Sequence, residues 1–337
     1  MTWLSNEAVG RLRDVAVWPE LPARYTLLRP IGRGGMGAVY AAHDDQLGRE
    51  VAIKISNAIH AGSGLDERLR REARVLARLE HPGIVPVHDA GELGDGRLFY
   101  VMKLVRGATL TQHAATLTTE TSRLIVFERV AEAVAFAHAA GVVHRDLKQS
   151  NVMVGSFGEV LVLDWGVARV LEAAAAGPAP VGSTTTASTQ ADTADGTRLG
   201  TPGFMAPEQA RGNAADAGPA ADVFSLGALL YWMFADDTPP ADHDEAVRRF
   251  ANLRAAPPKR LRAIVLKCLA PLAADRYATA GDLVADLSRY RTGAAVTAHR
   301  ETLLDRFGRW FMTYRTFVLL VLAYLVMRAA LALFRGI

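Results

Sequence analysis

Cysteine is nearly missing from this 337-residue chain: Cys268 is the only one, which excludes an internal disulfide and suits a reducing compartment. Its neighbours Ile264, Val265, Leu266 and Leu269 mark it as a buried helix thiol rather than a nucleophile. Surplus charge is scarce too. The 38 Lys and Arg against 35 Asp and Glu leave a net +3, too little over this length to argue for a nucleic-acid partner. A secretory leader is not expected, because Glu7, Arg11, Arg13 and Asp14 interrupt any apolar core near the start. No internal repeat is visible. Long apolar runs are missing until residues 317–334, FVLLVLAYLVMRAALALF, where Arg328 is the only charge.

What is present suits a folded chain: half the residues are hydrophobic and 22% are charged. Residues 25–40 and 50–55 read as short β segments, rich in Val, Ile, Leu and Tyr and separated by Gly and Asp. Residues 65–80 switch to helical period, with Leu69, Ala73, Leu76 and Leu79 on one side and Arg on the other, until Pro82-Gly83 stops them. Two strand-like runs follow at 84–88 and 98–104. Helical patterns then cover 120–140, 221–234, 261–269 and 282–290. The expected fold class is α+β, a small mostly β lobe followed by a larger mostly α one. Residues 172–197, first Ala, Gly and Pro and then Ser and Thr, have too little apolar content to order themselves and predict a mobile loop inside the domain.

Glycines at 32, 34 and 37, followed by Val39, let backbone N–H groups approach a triphosphate without a Cβ in the way. A dinucleotide-binding loop has similar spacing, and so could a flexible hairpin. These glycines lie between two strand-like segments, however, and the next strand, Val51-Ala52-Ile53-Lys54, brings a lysine where a dinucleotide fold would bring a helix. Glu72, mid-helix among Arg68, Arg70, Arg71 and Arg74, is either an ordinary surface pair or the anion that aims Lys54. His144-Arg145-Asp146-Leu147-Lys148-Gln149-Ser150-Asn151 is the sharpest signal. Its Asp can orient and deprotonate a hydroxyl, its Lys can neutralise a moving phosphoryl group, and its Asn can ligate a metal. Asp164 then ends the apolar run Leu161-Val162-Leu163, where an oxygen-seeking cation would sit.

In this order the motifs resemble the eukaryotic-type (Hanks-type) serine/threonine protein kinase family, in its bacterial branch. Gly200-Thr201-Pro202-Gly203-Phe204-Met205-Ala206-Pro207-Glu208 is similar to the family's substrate-binding segment, Asp222-Val223-Phe224-Ser225-Leu226-Gly227 to the next helix, and Arg276 to the arginine that pairs with that glutamate. The resemblance implies a bilobal kinase fold over 25–290 after an N-terminal extension at 1–24, with an activation segment at 164–208. It implies ATP and Mg²⁺ as cofactors, with Mn²⁺ as a possible substitute, and protein substrates. Ile31, Gly32, Arg33, Gly34, Gly35, Met36 and Gly37 would bind ATP, with Gly32, Gly34 and Gly37 covering the phosphates. Val39 and Ala52 would lie above the adenine, Met153 below it, and Met102 would be the gatekeeper beside the hinge residues Lys103 and Val105. Lys54 would grip the phosphates, oriented by Glu72. Asp146 would be the base, Lys148 would touch the γ-phosphate, and Asn151 and Asp164 would hold the metal. Thr201, like Lys148, marks serine/threonine specificity.

Trp165 departs from the family's usual Phe; a bulky ring packed on Leu76, Val87 and His144 is expected there. The 234–261 stretch looks short for the helix that normally follows. Arg145 suits control by a phosphate on the Thr-rich loop, with Thr193 and Thr197 as candidate autophosphorylation sites. The rival readings are a kinase-fold scaffold without transfer and a small-molecule kinase. All the residues that the first usually loses are present, and the peptide-binding segment disfavours the second. Beyond the basic juxtamembrane stretch at 291–315, residues 316–334 predict a single-pass membrane helix that keeps the kinase domain in the cytoplasm. An apolar helix lying on a membrane or on a partner is the alternative, and a homodimer stays open.

Overall fold

The computed structural model describes residues 19–34, 37–57, 64–165, 169–170, 203–211, 218–300 and 314–328. The small lobe is built on β1 (Tyr25–Arg33), β2 (Gly37–Asp44), β3 (Arg49–Ser56), β4 (Val87–Glu92) and β5 (Leu98–Lys103), with α1 (Gly64–Leu76) packed beside the sheet. These strands form one antiparallel sheet in the order β1-β2-β3-β5-β4. Val51, Ile53, Phe99 and Val101 fill its core and leave β3 buried over most of its length. Gly37 is required by the close approach of β2 to β3, since a Cβ there would lie 2.2 Å from the Ile55 carbonyl oxygen.

The large lobe begins with β6 (Gly107–Thr109) and the short α2 (Leu110–His113), and then α3 (Glu120–Ala139). Thr119 caps α3 by accepting the Ser122 N–H at 3.0 Å. The two-residue β7 (Val142–Val143) and the hairpin β8 (Val152–Gly155) and β9 (Val160–Val162) follow, and β10 (Arg169–Val170) pairs with β7. The rest is helical: α4 (Pro207–Ala210), α5 (Pro219–Ala235), α6 (His243–Ala251), α7 (Lys259–Cys268) and α8 (Ala280–Arg291). α5 is apolar on nearly every side because it is the central post of the lobe, with Val223, Leu226, Leu229 and Leu230 buried against α3, α7 and α8. Gly227 lets α7 come close, as a Cβ there would meet the Cys268 Cβ at 2.4 Å. Cys268 is buried, as expected, and burial pushes its thiol up.

Several expectations change. The strand expected at 84–88 starts later, at Val87; Ile84 forms only an isolated bridge to Val162, and Pro86 has no N–H to give to a ladder. The 234–261 stretch does hold a helix, α6, capped by the Asp242 side chain on the Glu245 N–H at 2.8 Å. Packing also runs past 290. Asp286, wholly buried, accepts the Tyr277 hydroxyl at 2.7 Å, the Thr297 N–H at 2.7 Å and the Ala298 N–H at 3.1 Å, which seals the strap after α8 onto the lobe. A membrane-spanning helix over 316–334 is not found: no helix among the described residues is long and apolar enough to cross a membrane. The described helix covers 314–328, about 22 Å at the helical rise against about 30 Å of bilayer core. The remainder of the predicted span lies outside the described residues.

Candidate active site

β3 and α1 bring two opposite charges together in the small lobe. Strand register sets Lys54 between Val39 of β2 and Tyr100 of β5. Its Nζ lies 2.8 Å from each carboxylate oxygen of Glu72, which α1 turns inward and which is 1% exposed. Glu72 is therefore no surface partner of its arginine neighbours. Tyr100 completes the arrangement by donating its hydroxyl to Glu72 Oε1 at 2.9 Å, and nothing in its local sequence distinguished it from an ordinary core tyrosine. Burial works against the Lys54 ammonium, but the Glu72 and Asp164 carboxylates outweigh it and keep Lys54 a cation with its pKa above the ordinary value.

The large lobe supplies the other half. Lys148 Nζ donates to Asp146 Oδ2 at 2.8 Å, and Asn151 Nδ2 donates to the Asp146 carbonyl at 2.9 Å. Leu163 N–H bonds the Asn151 carbonyl at 2.7 Å, which ties the 144–151 loop to the end of β9. The next residue, Asp164, has φ 58° and sends its carboxylate to within 3.4 Å of Lys54 Nζ. This contact joins the two lobes. Trp165 is buried, its ring centroid 4.6 Å from that of His144, and shares a core with Leu76 and Val87. The expected bulky packing is thus present, and the indole N–H has a partner in the Val162 carbonyl at 3.4 Å.

Beneath the loop lies Asp222 at the start of α5, fully buried. It accepts the His144 N–H at 2.7 Å, the Arg145 N–H at 2.8 Å and a bond from His138 Nε2 at 2.9 Å. His138 Nδ1 accepts the Ala280 N–H at 3.3 Å, so the ring carries its proton on Nε2 and donates to the carboxylate. Arg145 has φ 71°, a left-handed backbone in a non-glycine residue, held there by these bonds.

The protein kinase domain model matches residues 25–298. The chain belongs to the protein kinase family. It is 35% identical over 291 residues to the serine/threonine-protein kinase PknA of Mycobacterium tuberculosis, covering 81% of this chain and 62% of that one. It is also 35% identical over 291 residues to PknB of Mycobacterium leprae, covering 82% of this chain and 44% of the relative. The chain thus spans about three-fifths or less of the length of these curated relatives. The crystal structure of the M. tuberculosis PknI kinase domain superposes with a TM-score of 0.59 at 26% identity, over 81% of this chain and 99% of that one.

Within this kinase domain the remaining expected residues that the structure describes lie mostly on β1, β2, β3, β5 and β8 or next to them. Ala52 pairs in register with Met102, and Val39 faces Lys54. Met153 stands on β8, half-buried, and Val105 is half-buried after the end of β5. Lys103 donates its N–H to the Pro86 carbonyl at 3.2 Å, so that N–H is already engaged within the small lobe. Ile31 and Arg33 end β1 with exposed side chains, Gly32 pairs with Val39, and Gly34 N–H reaches the Gly37 carbonyl at 2.8 Å. Glu208 forms the expected two-pronged pair with Arg276, at 2.7 and 2.9 Å. Burial acts to raise the Glu208 carboxyl, and the Arg276 guanidinium brings it below its ordinary value. Gly35, Met36, Thr193, Thr197 and Thr201 lie outside the described residues.

Proposed function

We propose that this chain is an ATP-dependent serine/threonine protein kinase. One observation carries the reading: Lys54 Nζ lies 2.8 Å from Glu72 and 3.4 Å from Asp164, an arrangement in which β3, α1 and the end of β9 all converge on one charged cleft. Lys54, fixed by Glu72, grips the α- and β-phosphates under the glycine turn. Asn151 and Asp164 would hold Mg²⁺, which supplies charge neutralisation to the phosphates. The donor set fits a hard cation, because the Asn151 amide nitrogen is taken up by Asp146 and its oxygen end is left for a metal. Asp146 orients the substrate hydroxyl and accepts its proton as the oxygen bonds to the γ-phosphorus. The bond from that phosphorus to the β–γ bridging oxygen breaks, and ADP leaves. Lys148, beside Asp146, steadies the phosphoryl group during transfer. Residues 203–208, anchored by the Glu208–Arg276 pair, seat the peptide.

Incubation with γ-labelled ATP and a general protein substrate tests this. Label should appear on Ser or Thr, not Tyr, and should vanish with a metal chelator. No labelling of any protein at saturating Mg-ATP would instead leave a nucleotide-binding scaffold.

The exposed apolar helix at 314–328, with Phe317 67% and Leu320 65% exposed, supports a tail that meets a membrane or a partner. An alkaline wash of membranes should leave the protein pelleted if the tail inserts; release would place the chain at the surface only.

A further inference from the structure

Consecutive side chains of α4 reach opposite ways. Glu208 pairs with Arg276 in the floor of the large lobe, whereas Gln209 crosses to the 144–151 loop and donates its Nε2–H to the Arg145 carbonyl at 3.0 Å. The other end of the same amide, Oε1, accepts the Ala206 N–H at 3.3 Å. Both ends being occupied, the orientation of the amide is fixed: turned over, it would set an oxygen against a carbonyl and an amine against an N–H.

The carbonyl it holds belongs to a turn that resists its own conformation. Arg145 has φ 71°, where a side chain crowds the backbone. Its amide is restrained by Asp222 Oδ1 at 2.8 Å. The following peptide unit, which joins Arg145 to Asp146, is planar, so fixing its carbonyl also fixes the direction of the Asp146 N–H. That N–H lies 3.3 Å from His144 Nδ1. One side of this plane is therefore restrained by the loop itself and the other by Gln209, the residue that directly follows the 203–208 segment to which the proposed function assigns the peptide.

We propose that Gln209 is a positioning residue that clamps the Arg145–Asp146 peptide and couples seating of the peptide-binding segment to the aim of the Asp146 carboxylate. The coupling deepens the proposed kinase reading and rests on it for the transfer step. Gln209 itself touches no reacting atom.

Two variants of the full chain test it. Gln209→Met keeps the length and removes both bonds. Gln209→Glu keeps an acceptor for the Ala206 N–H but turns a carboxylate oxygen towards the Arg145 carbonyl. Both should lower kcat roughly 10- to 100-fold, since small misplacements of a reacting group have costs of that order. KM for ATP should stay within about twofold, because nucleotide binding is not what the clamp governs. Hydrogen exchange in the peptide covering 144–148 should speed up by about tenfold, with the small lobe unchanged. Unchanged exchange there in Gln209→Met overturns the proposal whatever happens to turnover. So does a kcat loss matched by equal losses of ATP affinity and melting temperature, which marks general damage. Faster loop exchange in the variants of a chain whose wild type transfers no phosphate would uphold the clamp and sink the kinase reading.

Discussion

Asp164→Asn should lower phosphoryl transfer by about 10³-fold or more, the scale of several kcal/mol lost from charge stabilisation at the reacting phosphate. The substitution is chosen because the backbone should not notice it. Asp164 has φ 58°, in the left-handed region, and Asn is among the residues that adopt that region most readily. Size and shape also stay the same. What disappears is one negative charge in a half-open position, with the side chain 44% exposed, facing Lys54 at 3.4 Å. Lys54 keeps Glu72 at 2.8 Å and so remains pointed into the cleft. Melting temperature should therefore hold to within a few degrees while kcat collapses and Mg²⁺ dependence weakens. Steady-state kinetics over a magnesium series, beside a thermal melt, reads both. Retention of more than a tenth of wild-type kcat would remove Asp164 from the metal role assigned to it.

The charged residues of this cleft were legible because each carries its chemistry in its type and spacing: a lysine closing an apolar strand, and an Asp, Lys and Asn within one loop. The residues that support them were not. Tyr100 bonds Glu72 across 28 positions of sequence, Gln209 reaches Arg145 across 64, and His138 meets Ala280 across 142. Locally each is an unremarkable member of a strand or helix, and only the folded register gives it a partner. α6 escaped for a different reason. Its nine residues stand between the proline pairs at 239–240 and 257–258, too few to build a period that outweighs the surrounding breakers. The Asp242–Glu245 cap was the signal that could have found it. Ile84 misled in the opposite sense, being buried in the main core while its backbone makes only an isolated bridge to Val162 of the large lobe. Similarly, the strap to Ala298 looked like basic linker, because its main polar anchor is a buried carboxylate on α8 and its one buried apolar side chain is Val296.

Asp222→Ala should damage stability as severely as Asp164→Asn damages transfer. Truncation strands the His144 and Arg145 N–H groups and the His138 Nε2–H inside the lobe, where the carboxylate now receives all three. Buried donors left without an acceptor, around a vacated charge site, have costs of about 3–5 kcal/mol in total. For a domain of this size that corresponds to a fall in Tm of about 10 °C. Burial on its own would push the Asp222 carboxyl up, but the His138 bond and the Arg145 N–H draw it below its ordinary value. A depressed carboxylate contributes stability that is complete above the ordinary carboxylate range and is lost as pH falls through the lower folded value. The wild-type advantage over Asp222→Ala should accordingly be full at neutral pH and shrink only in strong acid. Asp222→Asn should fall between the two, since one amide oxygen can still accept while its nitrogen faces donors. Denaturant melts of the three proteins at neutral and acidic pH decide the matter. Equal stability of wild type and Asp222→Ala at neutral pH would mean that the strained turn at Arg145 is held by something other than this carboxylate.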